Sequence, residues 1–287
     1  MTESIEERGN RIISALDQIM AAIPPEIRQL IESVYAGEVD VGTSPTDRKE
    51  LSETLELLAS YFDGTEFEDF DDKSLIVAWS WWTMINRQAL AIRTLVDDGL
   101  EMEAIPNVRV AFEYAMALVT LSQEDPEEMI VSLIANFLND MSRQSARSAD
   151  PHWEYREAVA NAKTELDSIV TERWIIGFTK RASDLALDNR ASQYYSVLSM
   201  IVHPTIVGVM GFADLSQQKT VVKEPNLILK SMSGDPLLWA VQCLCWSALA
   251  IDHMVAGGLS WRLELADVIE RFEIPYADTL YPSSPKT

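Results

Sequence analysis

DPLLWAVQCLCWSALAID, residues 235–252, is the stretch whose reading decides the fold. Asp235 offers a carboxylate to the free N–H groups of a helix start, and Pro236 presets the backbone of the first helical position. From Leu237 to Ile251 the run is 15 residues long, interrupted by Gln242 and Ser247 and closed by Asp252. A membrane-spanning helix needs about 20 such residues. A segment apolar on all sides and of this length is expected to be the core helix of a helical body, with Gly257-Gly258 as its C-terminal stop. Cys243 and Cys245, the two cysteines of the chain, lie on this helix with side chains diverging by about 200°, so they are expected as reduced core thiols.

The same start signal recurs outward from this helix. Asp125-Pro126-Glu127-Glu128 places a cap, a proline and two acids that meet the positive end of the helix dipole, and Asp150-Pro151 repeats the cap and proline. Ile105-Pro106 and Pro24-Pro25 mark further starts. After Asp150, Trp153, Val159, Ala162, Leu166, Ile169 and Val170 recur at three-to-four spacing, which predicts an amphipathic surface helix. Residues 74–96 carry apolar side chains on nearly every side, which predicts a central helix.

The spacing predicts helices over 3–22, 25–36, 46–61, 74–98, 106–122, 126–147, 151–174, 178–188, 190–203, 236–256 and 261–272. The fold class is therefore all-α: a multi-helix, bundle-like core over residues 74–273, an N-terminal helical extension over 1–73 and a proline-bearing tail over 274–287. One short β-hairpin is expected near 220–229, where Thr220-Val221-Val222 and Leu227-Ile228-Leu229 flank Lys223-Glu224-Pro225-Asn226.

Charge excludes several function classes. The 45 acidic against 23 basic residues give a net charge of −22, a field that repels phosphate backbones and anionic membrane leaflets. Non-specific nucleic-acid binding and membrane binding are thus not expected. The N-terminus, MTESIEERGN, lacks the basic and apolar segments of an export signal, so the expected location is cytoplasmic. With three histidines, no His/Cys grouping and no Gly-rich phosphate loop, neither a metal nor a cofactor is expected. The acidic loop 63–72 lacks the alternating ligands and terminal glutamate of a calcium loop. The eight tryptophans, with Trp79, Trp81 and Trp82 on one helix, predict an aromatic partner surface, for another protein or for a second copy in a homodimer.

Two helices carry polar side chains where apolar ones are expected. Arg109 and Glu113 interrupt the apolar stretch 108–119 and share a face at i and i+4. Tyr195, Ser199 and His203 repeat that spacing along 194–203, with Pro204 ending the helix and its negative end favouring a protonated imidazole. A buried charge must be paired, so the two rows are expected to meet in one Arg/Glu/Tyr/Ser/His cluster. Such a cluster either fixes helix register, or binds a small anion through Arg109, or exchanges protons through His203 with Glu113 orienting it.

Arg109-x-x-x-Glu113, then Trp174 with Arg181-Ala182, then Tyr195-x-x-x-Ser199-x-x-x-His203-Pro204 resembles the motif order of an uncharacterised bacterial helical family, a domain of unknown function, over about residues 75–260. The resemblance implies a shared helical core with these polar residues as its signature and brings no settled activity. A second, HEPN-like resemblance lies in Arg147-Ser148-Ala149-Asp150-Pro151-His152, the arginine-to-histidine spacing of those helical ribonucleases. Here Asp150-Pro151 opens a new helix, which places Arg147 and His152 on different elements. The expected function is a non-enzymatic binding or interaction protein, regulatory or defence-associated. The alternative is a hydrolase using His203, or a HEPN-like ribonuclease using His152.

Overall fold

A computed structural model describes residues 45–61, 73–123, 235–255 and 262–274, with helical positions inside 130–143, 160–164 and 195–202. The described helices belong to a compact unit formed by Thr43–Gly208 and Ser233–Thr287. The chain is all-α, and no strand occurs among the described residues. The expected hairpin at 220–229, the helices at 3–22, 25–36 and 178–188, and the tail beyond Ile274 lie outside the described residues.

Five helices carry the packing: α1 (Pro45–Ser60), α2 (Lys73–Asp97), α3 (Glu101–Gln123), α4 (Pro236–Met254) and α5 (Arg262–Arg271). α4 is the helix around which the others assemble, packing against α1, α2, α3 and α5. Its start follows the sequence logic. Asp235 Oδ1 accepts from the Leu237 N–H at 2.7 Å and the Leu238 N–H at 3.4 Å, with Pro236 following the cap. The helix closes at Val255, ahead of the expected Gly257-Gly258 stop, with the Val255 N–H donating to the Ile251 carbonyl.

Residues Leu237, Val241, Leu244 and Ile251 of α4 are buried, as are both thiols and both tryptophans. By length and composition α4 would cross a membrane, but 72% of its most apolar window is buried against protein. Ser247, fully buried, donates its hydroxyl to the Cys243 carbonyl at 2.6 Å and so carries no unmet bond into the core. Cys243 and Cys245 are free thiols, and burial pushes both well above the ordinary thiol range.

Aromatic packing joins α3 to α4. The Phe112 ring, fully buried, stands edge-on to Trp239 at 5.5 Å and tilted to Trp246 at 5.8 Å between centroids. Each such pair contributes about 0.5–1.5 kcal/mol beyond the area it buries.

α2, the expected central helix, is two-faced. Ala78, Trp82, Ile85, Ala89, Ile92 and Val96 form a buried row, while Ile76 and Leu90 are exposed on the other side. Residues 73–96 hold polar side chains at Ser80, Thr83, Arg87 and Thr94, and these set the outer face. Of the tryptophans, Trp82, Trp239 and Trp246 are core residues and Trp79 and Trp81 half-buried, while Trp153, Trp174 and Trp261 lie outside the described residues; the large apolar side chains exposed among the described residues are Ile, Leu, Met and Phe.

α2 turns into α3 within three residues. The Gly99 N–H donates to Val96 and the Leu100 N–H to Leu95, with Gly99 at φ 75°. This paired closure needs a left-handed residue at that position, which glycine adopts without penalty. α3 then begins at Glu101, not at the expected Ile105-Pro106: Glu101 and Glu103 favour the positive end of the dipole, and Pro106 lies inside the helix with its ring exposed. The cost is one absent donor for the Met102 carbonyl.

α1, on the N-terminal side of residue 73, contributes Leu51, Leu55 and Leu58 to the core. Ion pairs tie it to three neighbours: Arg48 to Glu101 of α3 at 3.1 Å, Glu50 to Arg271 of α5 at 3.4 Å, and Glu56 to Arg93 of α2. α5 inserts Leu265 and Val268, three apart, and ends with the same paired closure as α2, here with Glu273 at φ 47°.

Candidate functional site

α3 presents Arg109 and Glu113 one turn apart, with Val108 and Phe112 beside them fixed in the core. The Arg109 Nη2 donates to Glu113 Oε1 at 3.2 Å and to the Tyr195 hydroxyl at 3.1 Å. The Arg109 guanidinium carbon also lies 5.3 Å from the centre of the Tyr195 ring, within cation–π range. One guanidinium therefore joins two segments 86 residues apart in sequence. Tyr195 is helical, as are residues 198, 199, 201 and 202, and Leu198 is buried beside it.

Electrostatics hold this arginine as a cation. Burial alone lowers its proton affinity, but the bonds and charges of Tyr195 and Glu113 outweigh that, and the net shift is upward. The side chains are 19% exposed for Arg109 and 39% for Glu113, so the cluster is inside the body at the arginine and open to water at the carboxylate. At that exposure the ion pair itself contributes only about 0.5 kcal/mol, and the hydrogen bond to Tyr195 is the more specific link.

The expected cluster is thus brought together in part. Arg109, Glu113 and Tyr195 meet directly. Ser199 lies one turn beyond Tyr195, and its Oγ is buried with no hydrogen bond among the described residues. His203, Arg147, His152, Trp174 and Arg181 lie outside the described residues.

Sequence reading passed over Asn86 of α2, whose Oδ1 is also buried without a hydrogen bond among the described residues. The signal was an amide inside the apolar stretch 74–96, the same kind of interruption that drew attention to Arg109. Tyr61, at the end of α1, has a hydroxyl pushed up to about 12 by burial first and then by Glu264, Cys245 and Asp267. Among the described residues no three His, Cys, Asp or Glu side chains are grouped to hold a metal ion.

Chemically, the arrangement offers a fixed cation, a solvent-facing carboxylate, a phenol and a buried hydroxyl. The serine sits on a regular helix, without the exposed strand-to-helix elbow and backbone donors that activate such a hydroxyl as a nucleophile. No protein-family model matches the chain, and neither a curated protein nor a solved structure is similar to it, so the reading of the site rests on its own geometry.

Proposed function

We propose that the protein is a non-enzymatic binding or interaction protein in which the Arg109 cluster holds two helices in register. The supporting observation is that Arg109 donates from one nitrogen to both Glu113 and Tyr195. An arginine held as a cation between a carboxylate and a phenol has no proton to exchange at neutral pH, whereas acid/base catalysis needs a group that gains and loses one near the working pH. Its geometry suits fixing the approach of Tyr195 to α3, the role that buried polar networks serve in helical cores.

A double-mutant cycle on Arg109→Ala and Tyr195→Phe, read by urea unfolding, tests the structural role. Arg109→Ala is expected to lower stability by about 1–3 kcal/mol, with a coupling to Tyr195 above about 0.5 kcal/mol. Phosphate, sulfate and simple carboxylates are titrated in the same melts. Equal shifts in wild type and Arg109→Ala fit the structural reading, and a stabilisation lost in Arg109→Ala turns the cluster into an anion site. Hydrolysis of RNA or of ester substrates by the wild type, abolished in His203→Ala or His152→Ala, would overturn the non-enzymatic reading.

A further inference from the structure

α2 carries a second row opposite its buried one. Ile76, Ser80, Thr83, Arg87, Leu90 and Thr94 are all exposed and recur at alternating spacings of four and three, the heptad spacing of a helix seam. Ile76 is 45% and Leu90 42% exposed, and Met84, at 36%, flanks the row. Its hydroxyls are already satisfied. Ser80 donates to the Ile76 carbonyl at 2.8 Å, Thr83 to Trp79 at 2.9 Å and Thr94 to Leu90 at 3.0 Å. Covering the row therefore strands no hydroxyl, and Arg87 is its one charged residue.

The row is also free of acid. Between Lys73 and Val96 there is no Asp or Glu, although the average over a chain with 45 acids in 287 residues would place about four there.

We propose that this row is a self-association face, on which two copies of the chain pack α2 against α2, antiparallel, about a two-fold axis at Thr83. The sequence is self-complementary in that register. Ile76 and Leu90 each lie seven residues from Thr83, so Ile76 faces Leu90 of the partner subunit at one end and Leu90 faces Ile76 of the partner subunit at the other. Arg87 lies four residues from the axis, which keeps the two guanidinium-bearing positions about 12 Å apart along the helices. A parallel pairing would set Arg87 against its own copy.

Charge selects the same face. Two bodies of net charge −22 repel wherever acids meet acids, and the stretch of α2 from Lys73 to Val96 offers an approach without them. One helix pair buries roughly 1,000 Å² or less in total, the size of a transient interface. This face is separate from the Arg109 cluster, and either reading survives the failure of the other.

Sedimentation velocity of the full chain, from about 1 to 200 µM, reads the equilibrium. A monomer–dimer equilibrium in the micromolar range is expected. It tightens several-fold between about 0.05 and 0.5 M salt, because screening weakens the repulsion between acidic bodies while leaving apolar contact intact. Thr83→Asp sets two carboxylates on the axis and is expected to weaken the dimer at least tenfold. As an exposed position it leaves the melting temperature and the circular dichroism spectrum unchanged.

Register is read separately with a short bismaleimide, which joins the Thr83→Cys variant to itself far more than the Thr94→Cys variant, while buried Cys243 and Cys245 stay unmodified. A chain monomeric over the whole range overturns the proposal. So does a dimer that weakens with salt, a Thr83→Asp dimer as tight as wild type, or cross-linking at position 94 equal to that at 83.

Discussion

α4 and α2 are both rich in apolar side chains, yet α4 packs against four helices while α2 shows one side to water. The difference lies in where the polar residues fall. α4 has no charge from Pro236 to Ile251, and its serine turns inward onto its own carbonyl, so every side of it can be covered. α2 has Arg87, Ser80, Thr83 and Thr94 on a single side, and a guanidinium in that row keeps the row at the surface of a single copy. Apolar content sets how much of a helix seeks cover. The angular placement of its few polar groups sets which part gets it.

The sharpest way to break this contrast is to remove the ring that fastens α4. Phe112→Ala takes a fully buried side chain out of contact with Trp239 and Trp246 and is expected to cost about 3–5 kcal/mol in urea unfolding. A loss below about 1 kcal/mol would mean that the α3–α4 joint repacks freely. A smaller effect is expected at the helix start. Asp235→Ala leaves the Leu237 and Leu238 N–H groups without their acceptor and should cost about 1 kcal/mol, recovered in large part by Asp235→Asn. The smallest belongs to α2: Leu90→Ser, on the outer row, should change the unfolding free energy of dilute protein by less than about 0.5 kcal/mol. A larger loss there would show that the outer row is packed within one copy.

Much of this was legible in the chain. The starts and ends of α1, α2 and α5 are expected within one residue of where they occur, because periodicity and turn residues act locally. The proline at position 106 misled, since proline more often opens a helix than sits inside one, and the paired closure at Gly99 moved the α3 start upstream. The meeting of Arg109 with Tyr195 followed from two rows of four-residue spacing on apolar helices, each needing a polar partner. The ion pairs of α1 had no such signal. Glu56 and Arg93 are 37 residues apart and Glu50 and Arg271 are 221 apart, and among 45 acids and 23 bases nothing local selects those partners.

The two thiols of α4 give the molecule a clock. A thiol reagent attacks only a thiolate that it can reach, and in the folded chain Cys243 and Cys245 are neither ionised at neutral pH nor accessible. Since α4 touches each of the other four named helices, baring these sulfurs means parting the bundle at its centre. Their labelling rate in plain buffer therefore counts the rare openings of the core, and it keeps time without any denaturant.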